Sequence, residues 1–220
     1  MNCIVTAGPT YEPLDEVRRL INFSTGRLGS ELGNFLVSRG HRVTLFLGQQ
    51  ATWGGELHAQ ELVNFGTTAD LHARLQGLAG QPIDAIFHAA AVSDFTFGKV
   101  WRRLAAGELE EIEAGKISSR IDSLVTELTP TVKIIPQLRG WFPPACIVGW
   151  KYELDGTRPE AIAQAEQQIA SCRTNACVAN GRAYGSGFGL VRGAGRCMHL
   201  DDAAGLFTSL EALVLKEKPH

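Results

Sequence analysis

The chain has little that marks a stapled, metal-bound or membrane protein. Its five cysteines, Cys3, Cys146, Cys172, Cys177 and Cys197, are an odd number and form no C-x-x-C pair. That usage argues against a disulfide framework and a zinc site and fits reduced thiols in a cytoplasmic protein. No run approaches the roughly 20 apolar residues that a membrane span needs. The start, Met1 to Thr10, lacks a basic region, a long apolar stretch and a cleavage site, so no signal peptide is expected there. Lys and Arg total 21 against 23 Asp and Glu, for a net charge of −2. No excess of either sign points to nucleic acid or to a membrane surface as a partner.

Two common nucleotide signatures are also missing. The pattern GxxxxGK[ST] does not occur. GxGxxG does not follow the first apolar run, and the second run ends in Leu47-Gly48-Gln49, with no acid to hold a ribose. His88-Ala89-Ala90-Ala91 resembles a segment of the short-chain dehydrogenases, which use a Tyr-x-x-x-Lys pair. Here Tyr11, Tyr152 and Tyr184 are followed four places later by Asp15, Gly156 and Phe188. An NAD(P)-dependent oxidoreductase is therefore the lesser alternative.

What is present is an alternation of short apolar runs and helical patterns. Strands are expected at Cys3–Ala7, Arg42–Leu47, Leu57–Phe65, Ile83–Ala91, Leu124–Leu128, Ala145–Trp150 and Ala176–Ala179, with an edge strand at Cys197–Leu200. Helices are expected after Gly26 (Leu28, Leu32, Phe35 and Leu36 on one face), at Thr68–Leu78, from Thr129-Pro130 to Leu138, at Pro159–Cys172 and at Ala203–Lys216. Ser24 or Thr25 would cap the first helix. The segment up to Asn22 reads as a loop, Trp101–Arg120 as a loop or mobile flap, and Gly181–Gly195 as glycine-rich. This order implies a Rossmann-like, doubly wound, mostly parallel α/β sheet with helices on both faces. No repeat or linker is visible, so residues 1–220 are expected to form a single domain, with a flap at about 95–122.

In such a sheet ligands lie beyond the carboxyl ends of the strands. Chemically interesting residues do follow the apolar runs: Gly8-Pro9-Thr10, Ser93-Asp94, Lys151 with Glu153, and Asn180. Separately, Ser24-Thr25-Gly26-Arg27-Leu28-Gly29 places glycines at a helix start, where backbone N–H groups and the helix dipole favour a phosphate.

These blocks together resemble the phosphopantothenoylcysteine synthetases. Val5-Thr6-Ala7-Gly8-Pro9-Thr10 with Glu12-Pro13-Leu14-Asp15 and Val17-Arg18 is similar to that family's opening. Asn22 and Ser24 to Gly29, Ala89 to Asp94, Lys116-Ile117, Thr129-Pro130, Val148-Gly149-Trp150 and Val178-Ala179-Asn180 follow in the family's order over almost the whole chain. The resemblance implies a phosphopantothenate–cysteine ligase of coenzyme A biosynthesis. Such an enzyme activates the carboxylate of 4′-phosphopantothenate with CTP or ATP, together with Mg2+, and couples it to cysteine. It implies a catalytic set of Asn22, Arg18 and Lys116. Nucleotide contacts are implied at Gly8, Ser24, Gly26, Gly29, Ala89, Ala90, Ala91, Asp94, Trp150 and Asn180, with Trp150 in place of a phenylalanine. It also implies a cytoplasmic homodimer with a separate decarboxylase as partner. The chain departs from the family at Gln168 and Cys172, where lysines that meet the triphosphate are usual, and at Asn175. Arg173 or Lys151 would then have to replace those cations. A diverged homologue that binds a nucleotide or phosphorylated ligand without ligation is the alternative.

Overall fold

The computed structural model describes residues 1–113, 115–121, 123–193 and 195–217. In chain order its elements are β1 (Asn2–Ala7), β2 (Tyr11–Pro13), β3 (Arg19–Ile21), α1 (Arg27–Ser38), β4 (Arg42–Gly48), β5 (Glu61–Phe65), α2 (Thr68–Gln76), β6 (Ala85–His88), β7 (Phe95–Arg103), β8 (Leu109–Glu111), β9 (Leu124–Pro130), α3 (Ile135–Trp141), β10 (Cys146–Tyr152), α4 (Arg158–Cys172), β11 (Ala176–Asn180), β12 (Phe188–Val191), β13 (Cys197–Leu200) and α5 (Ala203–Glu217).

The first apolar run becomes the middle of the sheet. β1 is buried from Cys3 onward and pairs in parallel with β4 on one side and β6 on the other. The eight strands lie in the order β13-β12-β11-β10-β6-β1-β4-β5. The chain winds outward from β1 through β4 to β5, then crosses back to β6 and continues through β10 to β11. That reversal between β1 and β6 makes the fold doubly wound, and it opens a crevice at the carboxyl ends of those two strands. Only β12 runs against its neighbours, pairing antiparallel with β11 and β13.

Alternation along the strands sends side chains to two cores. Val5, Leu45, Phe87, Val148 and Val178 meet Leu32 and Leu36 of α1 and Leu206 and Leu210 of α5. Ile4, Phe46, Ile86 and Ile147 meet Leu71 and Leu75 of α2 and Leu138 of α3. α4 covers the second face further along, packing Ala161 and Ala165 on Cys177 and Ala179. No helix among the described residues is long and apolar enough to cross a membrane.

Several local expectations need correction. The segment before Asn22 is not all loop: β2 and β3 form an antiparallel hairpin, held partly by Arg19 over the Tyr11 ring at 4.8 Å. Within the expected loop, Trp101–Arg103 ends β7 and Leu109–Glu111 is β8, and with β9, which contains the expected Leu124–Leu128 strand, they form a three-stranded antiparallel sheet in the order β8-β7-β9. Its alternation was masked by charged residues that face each other across the sheet, as Lys99 with Glu111 and Arg102 with Glu110. Residues 114 and 122 of the expected 95–122 flap lie outside the described residues. Thr129-Pro130 ends β9 and opens no helix; α3 starts at Ile135, with a proline in its first turn. β6 stops at His88, and the expected Leu57–Phe65 strand keeps only Glu61–Phe65. Phe188–Val191, within the glycine-rich stretch, is a strand.

Candidate functional site

The site is built where the two motif-bearing peptides after β1 and β6 run side by side. Thr10 N–H donates to Ala91 O at 3.1 Å and Ala91 N–H to Gly8 O at 3.0 Å. Pro9 and Ala91 thus form an isolated parallel bridge beyond the sheet proper. Two buried threonines finish the join. Thr6 Oγ1 accepts from Ala90 N–H at 3.1 Å and shares a hydrogen bond with His88 Nδ1 at 2.9 Å. Thr10 Oγ1 accepts from Ser93 N–H at 2.8 Å and meets Thr68 Oγ1 at 3.1 Å. Full burial pushes the His88 pKa down to about 4, so the ring is neutral at pH 7 and serves here as a hydrogen-bonding part of the floor.

The start of α1 closes over this join. Gly26, at φ 79°, is the helix N-cap, and no side chain caps the helix. Ser24 and Thr25 are therefore not caps; Thr25 Oγ1 only receives the Arg27 N–H at 3.3 Å. Thr25 O instead accepts from Thr52 and Trp53 at 3.1 and 3.0 Å, which ties the loop down. The glycines are there for space. A Cβ on Gly29 would lie 2.6 Å from Ala7 Cβ, and one on Gly8, itself at φ 80°, 2.9 Å from Ala51 Cβ. The helix start can approach the strand end this closely only without side chains at those positions.

The result is a cleft of about 410 Å³ lined by Gly8, Ser24, Gly26, Gly29, Ala89 and Asn180, along with Thr25, Arg27, Leu28, Glu31, Phe188 and Ala203. Six of the sequence-predicted positions therefore share one wall system. Arg27 and Glu31 form an exposed ion pair at its edge, 2.7 Å apart. The α1 amide groups at this end have no capping acid, which leaves them for an anion.

Of the other predicted residues, Ala90 and Ala91 lie in the join itself, Trp150 is on β10 with its ring packed against the α1–α5 core and outside the cleft lining, and Asn22, Arg18, Lys116 and Asp94 lie around the β2–β3 hairpin and the three-stranded sheet. Asn22 donates its side-chain N–H to Val92 O at 3.2 Å and to Ala91 O at 3.4 Å, so it stands at the carboxyl edge of the main sheet. Arg18 pairs with Asp15 at 2.8 Å and also donates to Ile117 O. Asp15 is the residue that sequence reading underrated. One carboxylate oxygen accepts from Val17 and Arg18 N–H at 2.9 and 2.7 Å, and the other from Ile117 N–H at 3.1 Å. Burial pushes the Asp15 pKa up, but those backbone N–H groups and the Arg18 charge outweigh it and hold the pKa below its ordinary value. Through Asp15 and Arg18 the hairpin grips the segment containing Lys116, whose own side chain is exposed. Asp94 is exposed and paired with Lys133. Glu12, buried, accepts from Thr68 N–H at 3.0 Å and so fastens the hairpin to the start of α2.

The two departures from the expected lysines are interior. Gln168 and Cys172 are buried, and Gln168 Nε2 lies against Gly149 and donates to Cys177 Sγ at 3.3 Å. Arg173 follows the end of α4 and precedes β11, at the sheet edge opposite the cleft, so it does not replace a phosphate-binding cation. Lys151, near the end of β10, is on the correct edge. Asn175 takes a structural role, accepting from Arg139 at 2.6 Å and Ile147 N–H at 2.8 Å. Among the polar residues that join β1 to β6, Thr6 and Thr10 left a sequence signal, being polar residues inside and directly after an otherwise apolar run.

Comparison with known proteins shows the family and the fold. Residues 1–204 match the model of the DNA/pantothenate metabolism flavoprotein C-terminal domain. The coenzyme A biosynthesis bifunctional protein CoaBC of Thermococcus kodakarensis is 30% identical over 185 residues, covering 83% of this chain and 42% of that protein. The Bacillus subtilis CoaBC is 28% identical over 187 residues, covering 84% of this chain and 42% of its own length. The chain thus spans about two fifths of the curated relatives it matches. Among solved structures, a DNA/pantothenate metabolism flavoprotein from Streptococcus pneumoniae superposes with a TM-score of 0.86 at 24% identity, covering 99% of this chain and 100% of that one. A Cab2 mutant in complex with phosphopantothenate-cysteine superposes with a TM-score of 0.73 at 17% identity, over 98% and 86% of the two chains. With the matched model covering nearly the full sequence and the fold shared throughout, the chain belongs to the DNA/pantothenate metabolism flavoprotein C-terminal domain family.

Proposed function

We infer that the chain is a phosphopantothenate–cysteine ligase that activates the phosphopantothenate carboxylate with CTP or ATP. The observation that carries this reading is the adjacency of two unlike half-sites. One is a glycine-walled cleft at the uncapped start of α1. The other is a polar edge where Asn22 stands over the Ala91 and Val92 carbonyls.

In this reading the cleft holds the nucleotide, with its phosphates at the α1 N–H groups and Arg27 released from Glu31 to meet them. A carboxylate oxygen of phosphopantothenate attacks the α-phosphorus, and pyrophosphate leaves. The cysteine amine then attacks the acyl carbon, forming the amide, losing its proton and expelling the nucleoside monophosphate. Asn22 donates to the acyl oxygen as charge develops there. Lys116, brought near by the Asp15–Arg18 grip on Ile117, supplies charge to the phosphates. Among the described residues no group of three His, Cys, Asp or Glu side chains could hold a metal ion. Mg2+ in this reading arrives on the triphosphate oxygens.

Exposed apolar side chains support a homodimer as the working form. Phe23, next to Asn22, is fully exposed, and Val17, Leu20, Phe95, Leu109 and Leu128 are also open on the hairpin and the three-stranded sheet. A second copy covering them would complete the edge around Asn22.

Purified protein given phosphopantothenate, cysteine, Mg2+ and CTP or ATP is expected to release pyrophosphate and form phosphopantothenoylcysteine; no release with any nucleotide would refute the reading. Asn22→Asp is expected to slow turnover by about 100-fold or more, and unchanged turnover would remove Asn22 from the mechanism. A second reading, nucleotide binding without ligation, is favoured by one observation: the two α4 positions where lysines were expected hold the buried Gln168 and Cys172. It predicts thermal stabilisation by nucleotide with no cysteine-dependent product.

A further inference from the structure

A carboxylate lines a cleft that is otherwise suited to an anion. Of the described residues around the cleft, Arg27 is the one cation and Glu31 the one carboxylate. They are four residues apart on α1 and share a helix face, where Arg27 Nε donates to Glu31 Oε1 at 2.7 Å. An i,i+4 pair on an exposed helix needs no function in itself. This pair stands at a helix start with no capping acid, where the carboxylate repels the anion that the N–H groups attract. Glu31 is also the more enclosed partner, its side chain 28% exposed against 67% for Arg27.

Glu31 Oε2 has no hydrogen-bond partner among the described residues. Once Arg27 turns to the phosphates, as in the proposed reaction, both carboxylate oxygens face the ligand. A carboxylate only accepts hydrogen bonds, so the ligand part that fits beside it carries an uncharged donor such as a hydroxyl. The helix sets where that donor lies. Glu31 follows Arg27 by about one turn, a rise of about 5.4 Å, and helical side chains lean back toward the helix start. A hydroxyl on the third carbon from a phosphate ester oxygen is within that reach of the phosphorus.

We propose that Glu31 selects a phosphate ester that bears a hydroxyl on the third carbon from the ester oxygen, by accepting the hydrogen bond of that hydroxyl. Both phosphorylated substrates of the proposed reaction present this group: a nucleotide as its ribose 3′-hydroxyl, 4′-phosphopantothenate as its secondary hydroxyl. In many doubly wound sheets the acid that holds a ribose lies beyond the second strand. Here β4 ends in Leu47-Gly48-Gln49, and the cleft carboxylate comes from α1 instead. The proposal rests on the cleft being a phosphate site, and adds a selection that a glycine cradle alone does not make.

The test compares the wild-type chain with Glu31→Ala and Glu31→Gln by calorimetry. The probes are CTP, ATP and their 3′-deoxy analogues, 4′-phosphopantothenate and its analogue without the secondary hydroxyl, and inorganic tripolyphosphate. The wild type is expected to bind one parent at least about 10-fold more tightly than its deoxy analogue, the effect of a hydrogen bond to a charged group. The parent that shows this ratio is the occupant. Glu31→Gln, which keeps an uncharged oxygen acceptor, is expected to retain a preference of about threefold. Glu31→Ala is expected to bind parent and analogue equally, and tripolyphosphate at least as tightly as the wild type. A preference that survives in Glu31→Ala would overturn the proposal. Weaker tripolyphosphate binding by Glu31→Ala would make Glu31 a prop for the cradle and also overturn it. If the wild type binds tripolyphosphate and the parents without favouring the hydroxyl, the proposal fails while the phosphate cleft stands. If it binds none of the probes, the cleft reading fails and the proposal with it.

Discussion

The cleft under α1 and the hairpin edge beside it share one end of one sheet, yet they are held together by different physics. The cleft is shaped by absence: glycines at 8, 26 and 29 let a helix start press against a strand end, and backbone hydrogen bonds do the rest. The hairpin edge is shaped by charge: Asp15 and Arg18 tie a turn to the segment around Ile117. A packed cradle suits a ligand part that must always sit in one place, such as a phosphate chain. An ionic grip between a hairpin and a separate small sheet can open and close at lower cost. In the proposed reaction that behaviour suits the edge where a second substrate enters.

The largest effect that would break this comparison comes from filling the cradle. Gly29→Val drives a side chain into Ala7, and is expected to cost at least about 3 kcal/mol of stability in a denaturant titration. A small effect would mean that the cradle yields, and is not a packed device.

The next effect concerns acid. His88 is buried and neutral at the end of β6, with its pKa depressed from 6.5 to about 4. Below pH 6.5 the unfolded chain binds a proton there that the folded chain refuses. Stability is therefore complete above pH 6.5 and falls as pH drops toward 4, by up to about 3 kcal/mol. Thermal melts across that window should show the loss in the wild type, and His88→Gln should flatten it. The Asp15 grip behaves differently. Its pKa lies below 3.8, so its contribution persists above that value and is lost only as pH falls through the folded pKa. A melt series in which Asp15→Asn, not His88→Gln, removed the loss between 6.5 and 4 would reverse the assignment.

A smaller and more local effect is expected from Asp15→Asn at neutral pH. Hydrogen exchange at the Ile117 amide should quicken by about tenfold, while amides of β1 and β6 stay protected. Spread of the effect into the main sheet would erase the distinction between the two regions. The smallest effect belongs to Lys133→Ala. Its pair with Asp94 is exposed on both sides, so stability should change by about 0.5 kcal/mol or less.

The parts of this molecule legible in the sequence are those where one residue's type decides a backbone fact. The buried runs of β1, β4 and β10 had to be parallel strands, because each is apolar without alternation. Gly8, Gly26 and Gly29 pointed to a close approach, and the cleft contains all three. Of the three-stranded sheet, β9 was expected at Leu124–Leu128, but β7 and β8 were not legible, because exposed strands with paired charges read as polar loop. The burial of Gln168 and Cys172 was not legible either; counting positions back from Asn180 gives a place in the chain, but the face of α4 is set by its packing on Cys177 and Ala179. The link from Asp15 to Ile117 was not legible, since the two lie about a hundred residues apart in the chain.

In the proposed reaction the phosphopantothenate carboxylate becomes an acyl-nucleotide between the cleft and Asn22. Phosphopantothenate labelled with oxygen-18 in both carboxylate positions, turned over with cysteine and the accepted nucleotide, tests it directly. One label is expected in the nucleoside monophosphate and one in the amide carbonyl, with none in pyrophosphate. Label appearing in orthophosphate or pyrophosphate, or remaining wholly in unreacted acid, would contradict it.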